Sequence, residues 1–94
     1  MKRALPALLL AIAMSASGAA AVEANNANRA QLEQVRHIGP PLADAILVAR
    51  EKGGAFKDWA DLMARVRGIR DAKANKLSEA GLTVGGAPYA APPK

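Results

Sequence analysis

Two stretches of this 94-residue chain set cations beside a glycine-containing turn. The first is Val35-Arg36-His37-Ile38-Gly39-Pro40. The second is Val66-Arg67-Gly68-Ile69-Arg70-Asp71, with Lys73 and Lys76 following. Arginine and lysine bring several N–H donors and a full charge but no acceptor, so their chemistry is anion binding. A tight turn that feeds a helix adds to this. The first N–H groups of a helix have no partner inside it, and the helix dipole concentrates partial positive charge there. Phosphate is the usual occupant of such a place. The candidate contacts are Arg36, His37 and Gly39 at the first turn, and Arg67, Gly68, Arg70, Lys73 and Lys76 at the second.

Other chemistries are poorly supplied. The chain has no cysteine and one histidine, which removes thiolate nucleophiles and any Cys/His metal site. Asp44, Asp58, Asp61 and Asp71 sit where helices start, and no motif ties a pair of carboxylates to a histidine or nucleophile. No catalytic residue, metal ligand, cofactor or small-molecule substrate is expected. His37 reads as a solvent-facing turn residue, with a pH-tuned phosphate contact as the sharper alternative. Trp59 reads as partial core packing rather than base stacking.

The elements that position these turns form a repeat. At an offset of 31 residues, Leu32 falls on Met63, Val35 on Val66, Ile38 on Ile69, Ala43 on Ala74 and Ile46 on Leu77. Each copy reads as helix end, tight turn, new helix start. Two copies are too few for a solenoid, so the expectation is one all-α domain of two similar helical hairpins.

The N-terminus has the layout of a secretory signal peptide: basic Lys2-Arg3, an apolar run from Ala4 to Met14, then small residues ending Ala19-Ala20-Ala21. The run is shorter than the roughly 20 residues needed to span a bilayer. Cleavage after Ala21 is expected, so membrane contact would be transient. Removal of residues 1–21 lowers the net charge from +5 to +3. A cysteine-free exported chain points to a bacterial periplasmic or secreted protein.

Within residues 22–84, Asn28 and Gln31 suit a capping box. The spacing predicts helices over 29–36, 41–52, 59–66 and 72–80, with Asp58 and Asp71 as caps of the third and fourth. Gly39 is expected to supply a positive φ. The inner face of the fourth helix is read as Ala72, the Lys76 methylenes and Leu77. The core is expected from Leu32, Val35, Ile38, Leu42, Ile46, Phe56, Leu62, Met63, Val66, Ile69 and Leu77. Val22 to Ala27 reads as an extended lead-in, and Leu82-Thr83-Val84 as a short extended segment packing back. Residues 85–94, rich in Gly, Pro and Ala, are expected to be a disordered tail.

These residues together resemble the tandem helix-hairpin-helix domain of ComEA-like competence DNA-binding proteins. The resemblance runs through the lead-in Val22, Asn25, Ala27, the first hairpin Ile38-Gly39-Pro40, the linker Gly54 to Leu62 and the second hairpin Val66-Arg67-Gly68-Ile69. It covers residues 22–84. It implies an exported, non-catalytic protein that binds double-stranded DNA without sequence preference and serves DNA uptake in natural transformation beside other envelope proteins. The family hairpin is Gly-hydrophobic-Gly. Here His37 replaces the first glycine of hairpin one and Arg70 the second of hairpin two, and a bulky residue forced to positive φ costs roughly 1 kcal/mol or more. Those replacements motivate an alternative: an envelope protein-interaction or scaffold module that keeps the fold without the DNA role.

Overall fold

The computed structural model describes residues 21–91. The expected signal peptide, apart from Ala21, and residues 92–94 lie outside them.

Helix starts follow local chemistry. The Asn28 side chain accepts from Gln31 N at 2.8 Å and the Gln31 side chain accepts from Asn28 N at 2.8 Å, so a complete capping box opens α1, Arg29–Gln34. Helix α2 runs Pro40–Gly53, with prolines in the two positions where a missing N–H costs nothing. Gly54, at φ 80°, ends it. Asp58 accepts from Asp61 N at 2.8 Å and opens α3, Trp59–Arg65. Helix α4 is Asp71–Glu79, capped by the extended backbone of Arg70 rather than by Asp71, which is already its first helical residue. Among the described residues no helix is long and apolar enough to cross a membrane.

The two hairpins α1–α2 and α3–α4 bury one face each against the other. Leu32, Val35, Ile38 and Ile46 from the first meet Leu62, Val66, Ile69 and Leu77 from the second, with Phe56 between the halves. Leu42 and Met63 are only partly buried, and Trp59 is a core residue. The inner face of α4 is Ala74 with Leu77, three apart; Ala72 and Lys76 are exposed because each lies two residues from Ala74, on another side of the helix. The repeat offset is not 31 throughout. Val35 N bonds Leu32 O, while Val66 N bonds Leu62 O, so α3 gains one residue before its hairpin. Leu62, not Met63, therefore takes the place of Leu32.

The ends of the domain are tied together. A two-residue strand β1, Val22–Glu23, pairs in parallel with β2, Leu82–Thr83, in register Val22↔Leu82. Glu23 is the knot. Its carboxylate accepts from Gly86 N at 2.7 Å, Gly85 N and Thr83 Oγ1 at 2.8 Å, and Asn25 N at 3.2 Å. Partial burial pushes this carboxyl up, but the four donors outweigh it and hold it below its ordinary value. The Asn25 side chain brackets Phe56, accepting from its N–H at 2.6 Å and donating to its carbonyl at 3.0 Å.

Two arginines staple loops. Arg50 donates to the carbonyls of Ala24 and Ala27, both at 2.8 Å. Arg65 donates to Ala49 O at 2.7 Å and Gly54 O at 2.8 Å, pairs with Asp61 at 3.0 Å and lies 4.4 Å from the Phe56 ring centre.

The expected disordered tail begins too early. Residues 85–89 pack: Ala87 O accepts from Trp59 Nε1 at 2.9 Å, and the Tyr89 ring meets Trp59 edge-on with centroids 5.4 Å apart. Glycine and proline content hides this, because a segment needs only one aromatic anchor and a few backbone partners to pack these five residues.

Candidate nucleic-acid interface

The two hairpins present the same elements in unequal form. In each, the chain leaves the first helix in extended geometry at Val35 or Val66, turns, and enters the second helix through an extended cap residue, Gly39 or Arg70. The turn needs one left-handed residue, and it is the first position of the motif. His37 has φ 76° and Gly68 φ 92°. The second position is a helix cap. Gly39 sits at φ −92°, ψ −177° and Arg70 at φ −118°, ψ −174°. The expectation of a positive φ at Gly39 is therefore wrong, and Arg70 is unstrained. His37 alone carries the cost of a bulky left-handed residue, of order 1 kcal/mol.

Capping separates the four helices into two kinds. Helices α1 and α3 open under the side chains of Asn28 and Asp58. Helices α2 and α4, which follow the turns, have no side-chain cap. Among the described residues no side chain accepts from their first N–H groups, which have no partner inside the helix. At α4 these are the amides of Asp71, Ala72 and Lys73. At α2 the first two residues are Pro40 and Pro41, so only the Leu42 amide remains. Hairpin two thus offers three helix-start donors where hairpin one offers one.

The cations divide in the same way. Arg29 pairs with Asp44 at 2.8 Å, and Arg50 and Arg65 are spent on backbone carbonyls. Among the described residues, Arg36, Arg67, Arg70, Lys73 and Lys76 make no ion pair. Arg36, His37, Arg67, Arg70 and Lys76 are exposed and Lys73 is half-buried. Arg67, Gly68 and Arg70 line one shallow concavity over the second turn, with Ile69 as its buried floor. Lys73 and Lys76 lie outside that lining, one and two turns along α4, three residues apart on one face. Arg36, His37 and Gly39 belong to the other hairpin.

One residue of this surface, Asp71, presents itself in the sequence only as a cap. Asp71 lines the second-hairpin concavity beside Arg70, and its carboxylate accepts from the Tyr89 hydroxyl at 2.9 Å. Its place directly after an arginine in the motif was the available signal. The geometry as a whole can hold an anion between backbone donors and positive side chains open to solvent. It offers no cluster of three or more His, Cys, Asp or Glu side chains able to hold a metal among the described residues.

A family model described as helix-hairpin-helix motif matches residues 17–80, about two thirds of the chain. No curated protein and no solved structure gives a significant match.

Proposed function

Because the chain belongs to the helix-hairpin-helix family, we propose that it binds duplex DNA along the phosphate backbone without reading base sequence. Family membership supports nucleic-acid binding in general. The observation that carries the finer reading is the split in capping: α1 and α3 are closed by their own side chains, while α2 and α4 are left open beside unpaired cations. Backbone amides and point charges grip phosphates but carry no base information. Two such sites on one pseudo-symmetric domain suit the two strands flanking a groove.

Hairpin two is the stronger grip. It contributes the Gly68 turn, the amides of Asp71 to Lys73, and the side chains of Arg67, Arg70, Lys73 and Lys76. Hairpin one adds Arg36, His37, the Gly39 backbone and the Leu42 amide. The protein is non-catalytic in this reading and of the ComEA type: exported by cleavage after Ala21, periplasmic or secreted, and taking part in DNA uptake for natural transformation with other envelope proteins.

The test is fluorescence anisotropy of the purified protein with a labelled duplex of random sequence, titrated over a range of salt. Four hairpin-two cations predict a log–log salt slope of roughly −3 to −4, from about −0.9 per phosphate neutralised. Arg70→Glu combined with Lys73→Glu should abolish binding and leave helix content unchanged. A parent that ignores duplex DNA at low salt, or a double variant that binds like it, refutes this assignment and turns attention to a protein partner.

A further inference from the structure

Tyr89 stands near the C-terminal end of the described fold and reaches back to the start of α4. Its hydroxyl donates to Asp71 Oδ1 at 2.9 Å and its N–H donates to Ser78 Oγ at 2.9 Å. Its ring rests edge-on against Trp59 at an interplanar angle of 61°. Trp59 is fixed in turn, buried and donating to Ala87 O at 2.9 Å. The phenol is thus located by three independent contacts.

Asp71 occupies a rim shared by two concavities. One lies over the second hairpin with Arg67, Gly68 and Arg70; the other lies under the C-terminal segment with Trp59 and Tyr89. Asp71 is also the first residue of α4, whose opening amides no side chain caps. A carboxylate in the first turn of a helix is drawn to those amides by the same field that draws a phosphate. It is therefore an internal competitor for the ligand's place and a like charge beside it. Which way this carboxylate points decides how strong the anion site is.

We propose that Tyr89 is a positioning residue for the DNA site: it holds the Asp71 carboxylate toward the C-terminal segment and leaves the opening of α4 to phosphate. The inference rests on the duplex-binding reading above. It gives residues 85–89 a role beyond packing, since they seat the Tyr89 backbone at Ser78 while its hydroxyl reaches Asp71, seven residues earlier on α4. The contact also marks the phenol itself. The hydrogen bond to Asp71 comes first, then desolvation and the neighbouring negative charge, and all three raise the Tyr89 phenol above its ordinary value.

Tyr89→Phe keeps the ring on Trp59 and removes only the hydroxyl. At fixed low salt its duplex affinity should fall roughly threefold to tenfold, the scale of one like charge a few ångströms from a phosphate near the surface. Its helix content should match the parent. Asp71→Asn should bind more tightly than the parent, and Asp71→Asn with Tyr89→Phe should bind like Asp71→Asn alone. Tyr89→Phe binding like the parent overturns the proposal. So does an equal loss in the Asp71→Asn background, which would mean the hydroxyl acts by some other route. A parent that binds no duplex removes the DNA reading and this inference together, whereas a binding parent indifferent to Tyr89→Phe removes this inference alone. Ultraviolet titration of the single tyrosine supplies a DNA-free check: Asp71→Asn must lower the phenol's titration, and no shift overturns the contact itself.

Discussion

Glu23→Gln should unfold this domain far more easily than a change at a half-exposed side chain normally would. The carboxylate accepts four hydrogen bonds at 2.7 to 3.2 Å, three of them from the C-terminal residues Thr83, Gly85 and Gly86. Glutamine keeps one oxygen, which can still serve Thr83 Oγ1 and Gly86 N. Its amide nitrogen then faces the N–H groups of Gly85 and Asn25, donor against donor. Hydrogen bonds to a charged group contribute about 1.5–3 kcal/mol each when sheltered. Discounted by half or more for solvent at this partly open site, the two lost bonds and the lost charge come to about 2 kcal/mol. For a domain of this size that lowers Tm by about 8–16 °C. Urea and thermal unfolding followed by circular dichroism measure it. The carboxyl is held below its ordinary value of 4.5, so its contribution is complete above that pH and disappears as pH falls through the lower folded-state value. Parent and variant should therefore differ at pH 7 and converge in strong acid. A difference under about 0.5 kcal/mol at pH 7, or one undiminished in acid, refutes the reasoning.

The turn residues separate two positions that look alike in sequence. His37→Gly relieves a left-handed histidine and should stabilise by about 0.5–1 kcal/mol, whereas Arg70→Gly, at an ordinary extended position, should be neutral or slightly destabilising in the same urea titration. Gly53→Ala places a Cβ 2.5 Å from an Arg65 guanidinium nitrogen, so Arg65 must give up its hold on the Ala49 and Gly54 carbonyls. A loss of about 1–2 kcal/mol is expected, and Arg65→Ala in that background should cost little more.

What the sequence made legible was local chemistry. Asn28 with Gln31, and Asp58 with Asp61, announce two helix starts because capping is decided within four residues. The apolar repeat places Val35 with Val66 and Ile38 with Ile69 because both turns bury the same hydrophobic finger. Other readings failed where the answer depends on something farther away. Gly39 looks like the left-handed position, because a glycine signals freedom without saying which dihedral is used; the turn places it at His37 instead. One extra residue in α3 shifts Leu62 into the register expected of Met63, and a constant offset conceals that. The packing of residues 85–89 needs Trp59 and Ser78, residues many positions upstream, which composition does not weigh. The cations at the hairpins were visible as a group. That Arg65 is spent on carbonyls, while Arg67 two residues later is not, is decided by the path of the linker between Gly53 and Lys57.

The pairing of β1 with β2 makes the domain a closed ring. Glu23 and Thr83 bond across 60 positions of sequence, so β1 finds its partner only after both helical hairpins have been made. Joining ends so far apart costs entropy that no earlier contact offsets. Neither short first helix, six residues in α1 and seven in α3, persists without tertiary packing. Order thus arrives late and all at once. A chain made from its N-terminus therefore cannot complete this fold before β2 is in hand.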